Sequence, residues 1–306
     1  MARAVDGVNL DVALGEIVAL VGESGCGKST LSRCAVGLYQ PTAGTVRIGE
    51  QDVTANRTRA QRRAVQMVFQ DPYSSLDPRM SIGESIAEGV RATGHGSRRR
   101  GDEVARLLDL VGLDSSVANV LPRALSGGQR QRVAIARALA ARPRVLIADE
   151  ITSALDVSVQ GAVLNLVRDL QRELALSVLF ISHNLAVVHH IADTVAVMYC
   201  GKIVEVAAAG DLVTQPRHPY TRALVAAAKP GSTSQAGGDE LLVADPADPR
   251  EPPNGCRFHP RCPDGPLGRA DDREICRQAD PGRDAADRPH QAACFFAGDP
   301  ARRPTP

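Results

Sequence analysis

GESGCGKS, residues 22–29, lies between an apolar run at 17–22 and a helical pattern at 28–37. Its glycines let successive backbone N–H groups turn toward a phosphate, and the start of the helix adds a favourable dipole. A strand, this loop and a helix in that order predict a phosphate-binding loop of the Walker A type. The alternative is a glycine turn that only packs a helix on a sheet.

Residues of this loop have distinct expected roles. Lys28 would reach the β and γ phosphates, and the Ser29 hydroxyl would complete a Mg²⁺ shell. Cys26 occupies a variable position of the pattern, which favours packing over a catalytic thiol. The loop residues predicted to bind nucleotide are Gly22, Glu23, Ser24, Gly25, Cys26, Gly27, Lys28, Ser29 and Thr30.

A second apolar run, VLIADE (145–150), ends in two carboxylates. Ligands of open α/β sheets bind at the carboxyl ends of strands, so Asp149 is expected beside the phosphate loop, where it would hold Mg²⁺ through water. Glu150 is expected on the opposite side of the pleat, as the general base for an attacking water. The alternative, a pair of solvated edge charges, is weaker because a phosphate loop is already predicted.

Strand and helix patterns alternate along most of the chain. Further strands are predicted at 65–70 and 177–183, a hairpin turning near Gly201 at 196–206, and further helices at 127–141 and 157–174. This alternation predicts an α/β fold with a mainly parallel sheet covered by helices on both faces. The stretch 71–125 has helical patterns without a strong strand and predicts a helical insertion.

Composition divides the chain into segments. The helical insertion, at about 71–125, is expected to continue into the next helix to about 142. The predicted segments are a nucleotide-binding domain (1–230), a flexible linker (231–253), a small irregular Cys-rich extension (254–298) and a disordered tail (299–306).

Composition also limits the class of protein. Lys and Arg number 36 against 35 Asp and Glu, so no basic field favours nucleic acid as a partner. No apolar run reaches the roughly 18 residues of a membrane span, and no signal peptide is recognised. The expected compartment is the cytosol, where the 7 cysteines are thiols or metal ligands before disulfides.

LSGGQ, residues 125–129, precedes a periodic helical stretch. Ser126 is a natural N-cap, and its hydroxyl and the following glycine amides would present donors at a positive helix end. A cap with no further role is the alternative. The series of motifs is completed by Gln70 at the close of a strand, SALD at 153–156 and His183 as the last residue of a later strand.

In this order the motifs resemble those of the nucleotide-binding subunit of ABC transporters, over about residues 1–230. Within that family the chain is similar to the oligopeptide and dipeptide importer ATPases, and most similar to the subunit type that pairs with a second, related ATPase. The stretches that carry this similarity are FQDPYSSLDPRM (69–80), SALDVSVQ (153–160), VAVMYCGKIVE (195–205) and HPYTRAL (218–224).

The resemblance implies a composite ATP site. Two subunits would stack head to tail, so that one subunit's LSGGQ motif faces the γ-phosphate held by Lys28 of the other. The residues acting in trans would be Ser126, Gly127, Gly128, Gln129 and Asp156, the last at the dimer interface.

The resemblance also implies roles within one subunit. Gln70 would sense nucleotide, contact the permease and join Ser29 and Asp149 around Mg²⁺, and His183 would contact the γ-phosphate. The implied catalytic residues are Lys28, Gln70, Glu150 and His183.

The function implied is the ATPase of a peptide importer, attached peripherally to the cytoplasmic face of the cell membrane. Its partners would be a second ATPase subunit, identical or paralogous, two transmembrane permeases and an extracytoplasmic substrate-binding protein. Related importers carry nickel, glutathione or sugars. The alternatives are a soluble ABC ATPase outside transport and a cassette that binds ATP without turnover.

The chain departs from the family pattern at three points. No aromatic residue precedes Tyr39, where relatives have one that stacks on adenine, so no stacking residue is assigned. Ile151 replaces a common Pro and Asn184 a common Asp. Neither change removes a phosphate or metal ligand, so ATPase chemistry is expected to survive.

Cysteines also stand in the Pro-rich extension. The stretch GCRFHPRCP (255–263) is similar to the C-terminal signature of peptide-importer ATPases, some of which hold a [4Fe–4S] cluster, and the resemblance implies the same here. Zinc, with His259 or His290 replacing a thiolate, is the first alternative and free thiols the second. The implied cluster ligands are Cys256, Cys262, Cys276 and Cys294.

Overall fold

The computed structural model describes residues 3–71, 75–94, 97–228, 248, 251–266, 273–282 and 289–297. Most of the predicted linker, all of the predicted disordered tail and parts of the Cys-rich extension lie outside these residues. The strands are β1 (Ile17–Val21), β2 (Arg47–Ile48), β3 (Gln51–Asp52), β4 (Val65–Val68), β5 (Val145–Asp149), β6 (Ser177–Ser182), β7 (Thr194–Tyr199), β8 (Lys202–Ala208) and β9 (Gln291–Ala292).

The helices fall between these strands along the chain. The α-helices are α1 (Lys28–Val36), α2 (Arg59–Ala64), α3 (Ile82–Ala92), α4 (Ser97–Leu110), α5 (Gly127–Leu139), α6 (Val157–Leu174), α7 (Leu185–Ile191), α8 (Ala209–Thr214), α9 (Pro219–Ala227) and α10 (Ile275–Gln278). Short 3₁₀ turns lie at Ser115–Asn119, Pro122–Ala124 and His259–Arg261. No helix of the described residues is long and apolar enough to span a membrane.

The chain folds as two compact units. The first unit comprises Met1–Asp11, Val18–Thr30 and Ser182–Pro306, and the second comprises Val12–Ile17 and Leu31–Ile181.

The second unit is built on parallel strands. β4 pairs with β5 and β5 with β6, both in parallel, with Val65 opposite Val145 and Asp149 opposite Ile181. All six residues of β6 are buried, and so is β5 beyond its first residue. Near-continuous apolar runs of this kind belong to strands covered on both faces, which is why they show no alternation in the sequence.

A helical region follows β4 in the same unit. Ser81 and Glu84 form a capping box that starts α3, and the buried Ile82, Ile86 and Val90 recur at a four-residue spacing along one side of the helix. This helix packs against α4 and α5. Among the described residues of 71–125, the structure has helices and 3₁₀ turns and no strand.

The first unit combines parallel and antiparallel pairing. β1 lies parallel to β7, and β7 and β8 form an antiparallel hairpin. Gly201, with φ +82°, lies in its turn as the sequence predicted. β8 also pairs with β9, where Glu205 lies opposite Ala292. This last strand comes from the extension predicted to be irregular, and two residues are too few to leave a sequence signal.

Four strands end earlier than the sequence predicted. β1 ends before Gly22, β4 before Gln70, β5 before Glu150 and β6 before His183. Each of the four residues had been placed on a strand and lies instead in the loop after it. The apolar signal could not locate these ends because the residues that leave the sheet directly follow a buried run.

Candidate functional site

The phosphate loop is organised around the Lys28 side chain. Its ammonium donates to the carbonyl oxygens of Gly22 and Glu23, both at 2.8 Å, and its residue is only 4% exposed. The Cys26 sulfur lies 3.8 Å from the same nitrogen, and burial raises the pKa of its thiol. Cys26 is thus a buried packing residue, and the single cation of the loop is held by the loop's own backbone.

Gly27 illustrates why the loop needs glycine. Its φ is +112°, in a region that L-residues with side chains rarely adopt, and an added Cβ would lie 2.1 Å from the carbonyl oxygen of Ala4. The backbone therefore approaches closely at a position where any side chain would collide. Ser29 and Thr30, which follow Lys28, belong to the first turn of α1.

At the end of β5 the two carboxylates have different environments. Asp149 is the last strand residue and is 5% exposed. Glu150 has φ +49° and its N–H donates to the carbonyl of Ile181 at 3.0 Å, so it turns sharply out of the strand. The expectation that Glu150 continues the pleat was therefore wrong. The left-handed turn, rather than alternation, separates the two side chains.

Gln70 contacts Glu150 directly. Its side-chain amide donates to Glu150 Oε2 at 2.9 Å, and both side chains are at least partly accessible. Because the amide is a donor, it holds the carboxylate in one orientation. Both residues were predicted from the sequence to be catalytic, but their contact was not predicted.

The LSGGQ motif forms the predicted N-cap of α5. The Ser126 hydroxyl accepts from the Gln129 N–H at 3.3 Å, and Gln129 Oε1 accepts from the Ser126 N–H at 3.0 Å, which completes a capping box. The hydroxyl hydrogen of Ser126 can still donate outward. An added Cβ at Gly128 would lie 2.6 Å from Val159, so close packing against α6 also requires glycine there.

Asp156 precedes α6 at its N-cap position, and no side-chain capping hydrogen bond is made there. It is exposed, and the neighbouring Val157 is 84% exposed. The SALD loop is braced from within, since the Gln160 amide donates to the carbonyls of Thr152 and Leu155 at 3.0 and 2.9 Å. An exposed carboxylate beside an exposed apolar side chain suits contact with another protein surface.

Asn184 and Ile151, the two residues near strand ends that depart from the family pattern, both fit the structure. Asn184 caps α7, because its amide oxygen accepts from the N–H groups of Ala186 and Val187. Asn184 thus acts as the N-cap of this helix, a role for which Asp is equally suited. His183, which precedes it, is exposed, and Ile151 is buried at 2% exposure.

The predicted site residues are distributed over the two units. The phosphate loop and His183 belong to the first unit. The second unit holds Gln70, Ser126, Gly127, Gly128, Gln129, Asp149, Glu150 and Asp156.

Comparison with known proteins places this geometry in a family. A profile of the ABC transporter family matches residues 5–153. A probable peptide ABC transporter ATP-binding protein of Sinorhizobium fredii is 50% identical over 267 residues, covering 86% of this chain and 76% of the relative. The chain belongs to the ABC transporter family. The resemblance inferred from the motifs is thereby confirmed.

Other relatives extend the match of this ABC cassette. The di/tripeptide transport ATP-binding protein DppF of Pseudomonas aeruginosa is 44% identical over 299 residues, covering 96% of this chain and 90% of the relative. A profile for the C-terminal region of oligopeptide/dipeptide transporters matches residues 204–265. That second match includes the stretch GCRFHPRCP.

Solved structures confirm the fold class. An ATP-binding cassette in a dimeric post-hydrolysis state, bound to ADP and Pi, matches with a TM-score of 0.61 and 30% identity. The match covers 67% of this chain and 90% of that chain. CbiO1 of Clostridium perfringens matches with a TM-score of 0.64 and 28% identity, covering 69% of this chain and 84% of that chain. The predicted P-loop ABC cassette is therefore the observed fold.

The Cys-rich extension of the cassette brings its four cysteines to one cavity. This cysteine cavity is small and is lined also by His259 and by aromatic side chains, among them Phe258 and Phe296. The Cys256 N–H donates to the carbonyl of Cys276 at 2.9 Å, which joins two distant parts of the extension. The cysteines lining the cavity are Cys256, Cys262, Cys276 and Cys294.

The thiols of this cavity influence each other. Burial raises the pKa of Cys256 to about 11, and the nearby Cys276 and Cys294 also raise it. Burial likewise raises the pKa of Cys262 to about 12; a hydrogen bond from the Asp264 backbone opposes this shift, and the nearby Cys256 and Cys294 add to it. Within the described residues, no three His, Cys, Asp or Glu side chains are grouped as ligands of a single metal ion.

An aromatic cluster that the sequence did not reveal docks the extension. Phe258 is 1% exposed, and its ring lies 5.2 Å from that of Tyr199, 5.5 Å from that of Tyr220 and 5.8 Å from that of His218. The extension does not form a core alone; it inserts Phe258 into the core of the first unit. With only 3% aromatic residues in the chain, no local pattern announces such a cluster.

A buried carboxylate provides a second anchor. Glu205 is fully buried, accepts from the N–H groups of Arg217 and His218 at 2.7 and 2.8 Å, and lies 2.7 Å from His290 Nε2. His290 was predicted from the sequence as an alternative zinc ligand, and no role was predicted for Glu205. The sequence signal that could have identified Glu205 is a single Glu within an otherwise apolar strand pattern.

Proposed function

We propose that this ABC cassette is the ATP-hydrolysing subunit of an importer of di- and oligopeptides. The single observation that carries the proposal is the match of residues 204–265 to the C-terminal region of oligopeptide/dipeptide transporters, since the cassette alone does not separate cargo classes. The names of the relatives from Sinorhizobium fredii and Pseudomonas aeruginosa support it.

ATP and Mg²⁺ are the expected ligands of an ABC cassette. The phosphate loop supports ATP binding through its glycine backbone and the buried Lys28. The residues proposed to bind Mg²⁺ are Ser29, Gln70 and Asp149. The residues proposed to bind nucleotide within the subunit are Gly22, Glu23, Ser24, Gly25, Cys26, Gly27, Lys28, Ser29, Thr30, Gln70, Asp149 and His183.

Glu150 is proposed as the general base for hydrolysis. Water oxygen bonds to the γ-phosphorus while the bond from that phosphorus to the β–γ bridging oxygen breaks, and the water proton passes to Glu150. The products are ADP and phosphate. The hydrogen bond from Gln70, at 2.9 Å, supports this role because it holds the carboxylate in one orientation.

A second ATPase subunit, identical or paralogous, is proposed to complete the site. The exposed positions of Ser126, Gln129 and Asp156 support contact with a partner, and a loose phosphoryl-transfer transition state needs donors on every equatorial oxygen. Two transmembrane permeases and an extracytoplasmic binding protein would complete the importer. The cassette would then sit at the cytoplasmic membrane face without spanning it.

The domain boundaries proposed for this function are those read from the sequence. They are the ATPase domain (1–230), the linker (231–253), the Cys-rich extension (254–298) and a C-terminal tail (299–306).

We expect the chain, purified by affinity from detergent-solubilised membranes of its own cells, to bring down two permeases. Vesicles containing that complex should take up a labelled dipeptide with ATP present, and the Lys28→Ala complex should not. Recovery only in soluble complexes would favour an ABC ATPase outside transport. Uptake of nickel, glutathione or a sugar in place of peptide would retain the importer and reject the peptide assignment.

The cysteine cavity is proposed to hold a [4Fe–4S] cluster. Four thiols at one cavity are the ligand set of such a cluster, and a cubane spreads its ligands wider than a single ion does. When bound, the cluster supplies cationic iron that stabilises thiolates whose pKa values are otherwise raised. The role would be structural. A zinc site with His290 as a ligand is disfavoured, since the imidazole of His290 is hydrogen-bonded to Glu205.

The cluster has a direct test. Anaerobically prepared protein should be brown and contain iron, and Cys262→Ser should lose both the colour and the iron. Cys34→Ser, in α1 and outside the cavity, is the matched control and should retain both. Colourless wild-type protein containing zinc would favour the zinc alternative, and metal-free protein would favour free thiols; either result rejects the cluster.

A further inference from the structure

A side chain of the extension, Arg261, reaches the phosphate loop. Arg261, in the middle of the stretch HPRC, donates to both carboxylate oxygens of Glu23 at 3.0 and 3.2 Å. Glu23 is the second residue of GESGCGKS. The Arg261 side chain is 5% exposed and that of Glu23 21% exposed, so this bidentate pair is largely shielded from water.

The same part of the loop is held at its backbone. The Glu23 N–H donates to the Tyr220 hydroxyl at 2.9 Å, and Arg261 also donates to the Tyr199 hydroxyl at 3.3 Å. The Glu23 carbonyl in turn accepts from the Lys28 ammonium at 2.8 Å. The side chain of Glu23 is therefore fixed by Arg261, while its backbone helps to place the cation of the phosphate site.

Several other contacts also hold the extension in place. Phe258 is already enclosed by the aromatic cluster, β9 pairs with β8, and His290 is bonded to the buried Glu205. Burying a guanidinium and a carboxylate costs desolvation that several well-placed hydrogen bonds must offset. A shielded ion pair with a residue of the phosphate loop is better explained by a role in fixing the conformation of that loop than by a role in attaching the extension.

We propose that Arg261 is a positioning residue for ATP binding, acting through Glu23 on the phosphate loop. Its guanidinium restrains Glu23, so that the loop carbonyls hold Lys28 and the loop amides keep one orientation toward the phosphates. Without it the loop samples other conformations, and ATP must select the competent one at the cost of affinity. The inference rests on ATP binding at this loop, as proposed above.

The test is a double-mutant cycle on the full chain. Binding of Mg-ATP is measured at equilibrium for wild type, Glu23→Gln, Arg261→Gln and the double variant. Each single change should raise the Kd by about 10-fold, and the double change should raise it no further, because both remove one interaction. Arg261→Lys should recover part of the affinity, since it restores the charge without the two-pronged geometry.

Controls separate positioning from folding. Arg277→Gln removes a more exposed arginine of the extension, paired with Glu274, and should leave the Kd unchanged. Unfolding midpoints identify any variant that fails to fold. If Arg261→Gln does not fold, Glu23→Gln and Arg261→Lys still test the pair. Wild-type affinity for Mg-ATP in Glu23→Gln overturns the inference.

Two further outcomes overturn the inference in distinguishable ways. The positioning role is rejected if Arg261→Gln binds Mg-ATP with wild-type affinity, or if the Kd of the double variant rises by the product of the two single effects. The proposed ATP site still stands in that case, provided that Lys28→Ala abolishes Mg-ATP binding. Failure of the unaltered chain to bind Mg-ATP rejects the proposed ATP site and this inference together.

Discussion

Glu150→Gln should bind Mg-ATP like the unaltered chain and hydrolyse it at least about 100-fold more slowly. The amide keeps the size of the carboxylate but cannot accept the water proton. Because Glu150 lies in a left-handed turn fixed by the Ile181 carbonyl, the substituted side chain should occupy the same place. Phosphate release by the complex with its partner subunits, together with equilibrium nucleotide binding, measures both quantities.

The contrast between binding and turnover is the informative result. Gln70→Ala should lower turnover less than Glu150→Gln does, because it leaves the base in place and removes only the donor that orients it. Glu274→Gln, on the exposed surface of the extension, is the control and should leave turnover unchanged. Equal, negligible rates in the parent and in Glu150→Gln would instead indicate a cassette that binds ATP without turnover.

Glu205→Ala should destabilise the protein by about 3 kcal/mol. The change removes the carboxylate that accepts from the backbone amides of Arg217 and His218 and contacts the ring of His290. These three groups then stay buried without that acceptor. Since Glu205 lies on β8 opposite the extension's β9, the loss should loosen both elements. Urea unfolding monitored by tyrosine fluorescence and by circular dichroism measures the change.

Glu205 should also make stability depend on pH. Burial opposes its ionisation, but hydrogen bonds from His290, Thr221 and two backbone amides outweigh burial and lower its pKa. A carboxyl whose folded pKa lies below its unfolded value, about 4.3, stabilises the fold above that pH. This contribution is lost as the pH falls through the folded pKa. Glu205→Gln should therefore show a smaller loss of stability in acid than wild type.

The control for both effects is again on the surface of the extension. Glu274→Ala removes an exposed ion pair with Arg277 and should leave the unfolding midpoint and its pH dependence unchanged. An equally small effect of Glu205→Ala would mean that Glu205 is not the anchor of β9 that its hydrogen bonds indicate.

The parts of the site that depend on short local motifs were predictable from the sequence. The glycines of 22–29 and the cap at Ser126 act through backbone geometry within a few residues, so spacing alone predicts them. The left-handed turn at Glu150 escaped prediction, because a buried apolar run carries no signal of where it leaves the sheet.

Contacts between distant segments were not predictable in the same way. Arg261 meets Glu23 across 238 positions of sequence, and Glu205 meets His290 across 85. Each of these residues is an ordinary charged or polar side chain when its neighbours in sequence are considered alone. Their partners follow from how strands pair and where the extension docks.

The order and spacing of motifs thus established the α/β cassette, its phosphate loop and its place among ABC ATPases, because each motif is a local arrangement of backbone donors and side chains. Only the folded chain showed that the extension inserts Phe258 into the first unit, bonds His290 to Glu205 through a hydrogen bond and pairs Arg261 with the phosphate loop. The physical reason is that burial, desolvation and mutual distance arise when segments far apart in sequence pack together.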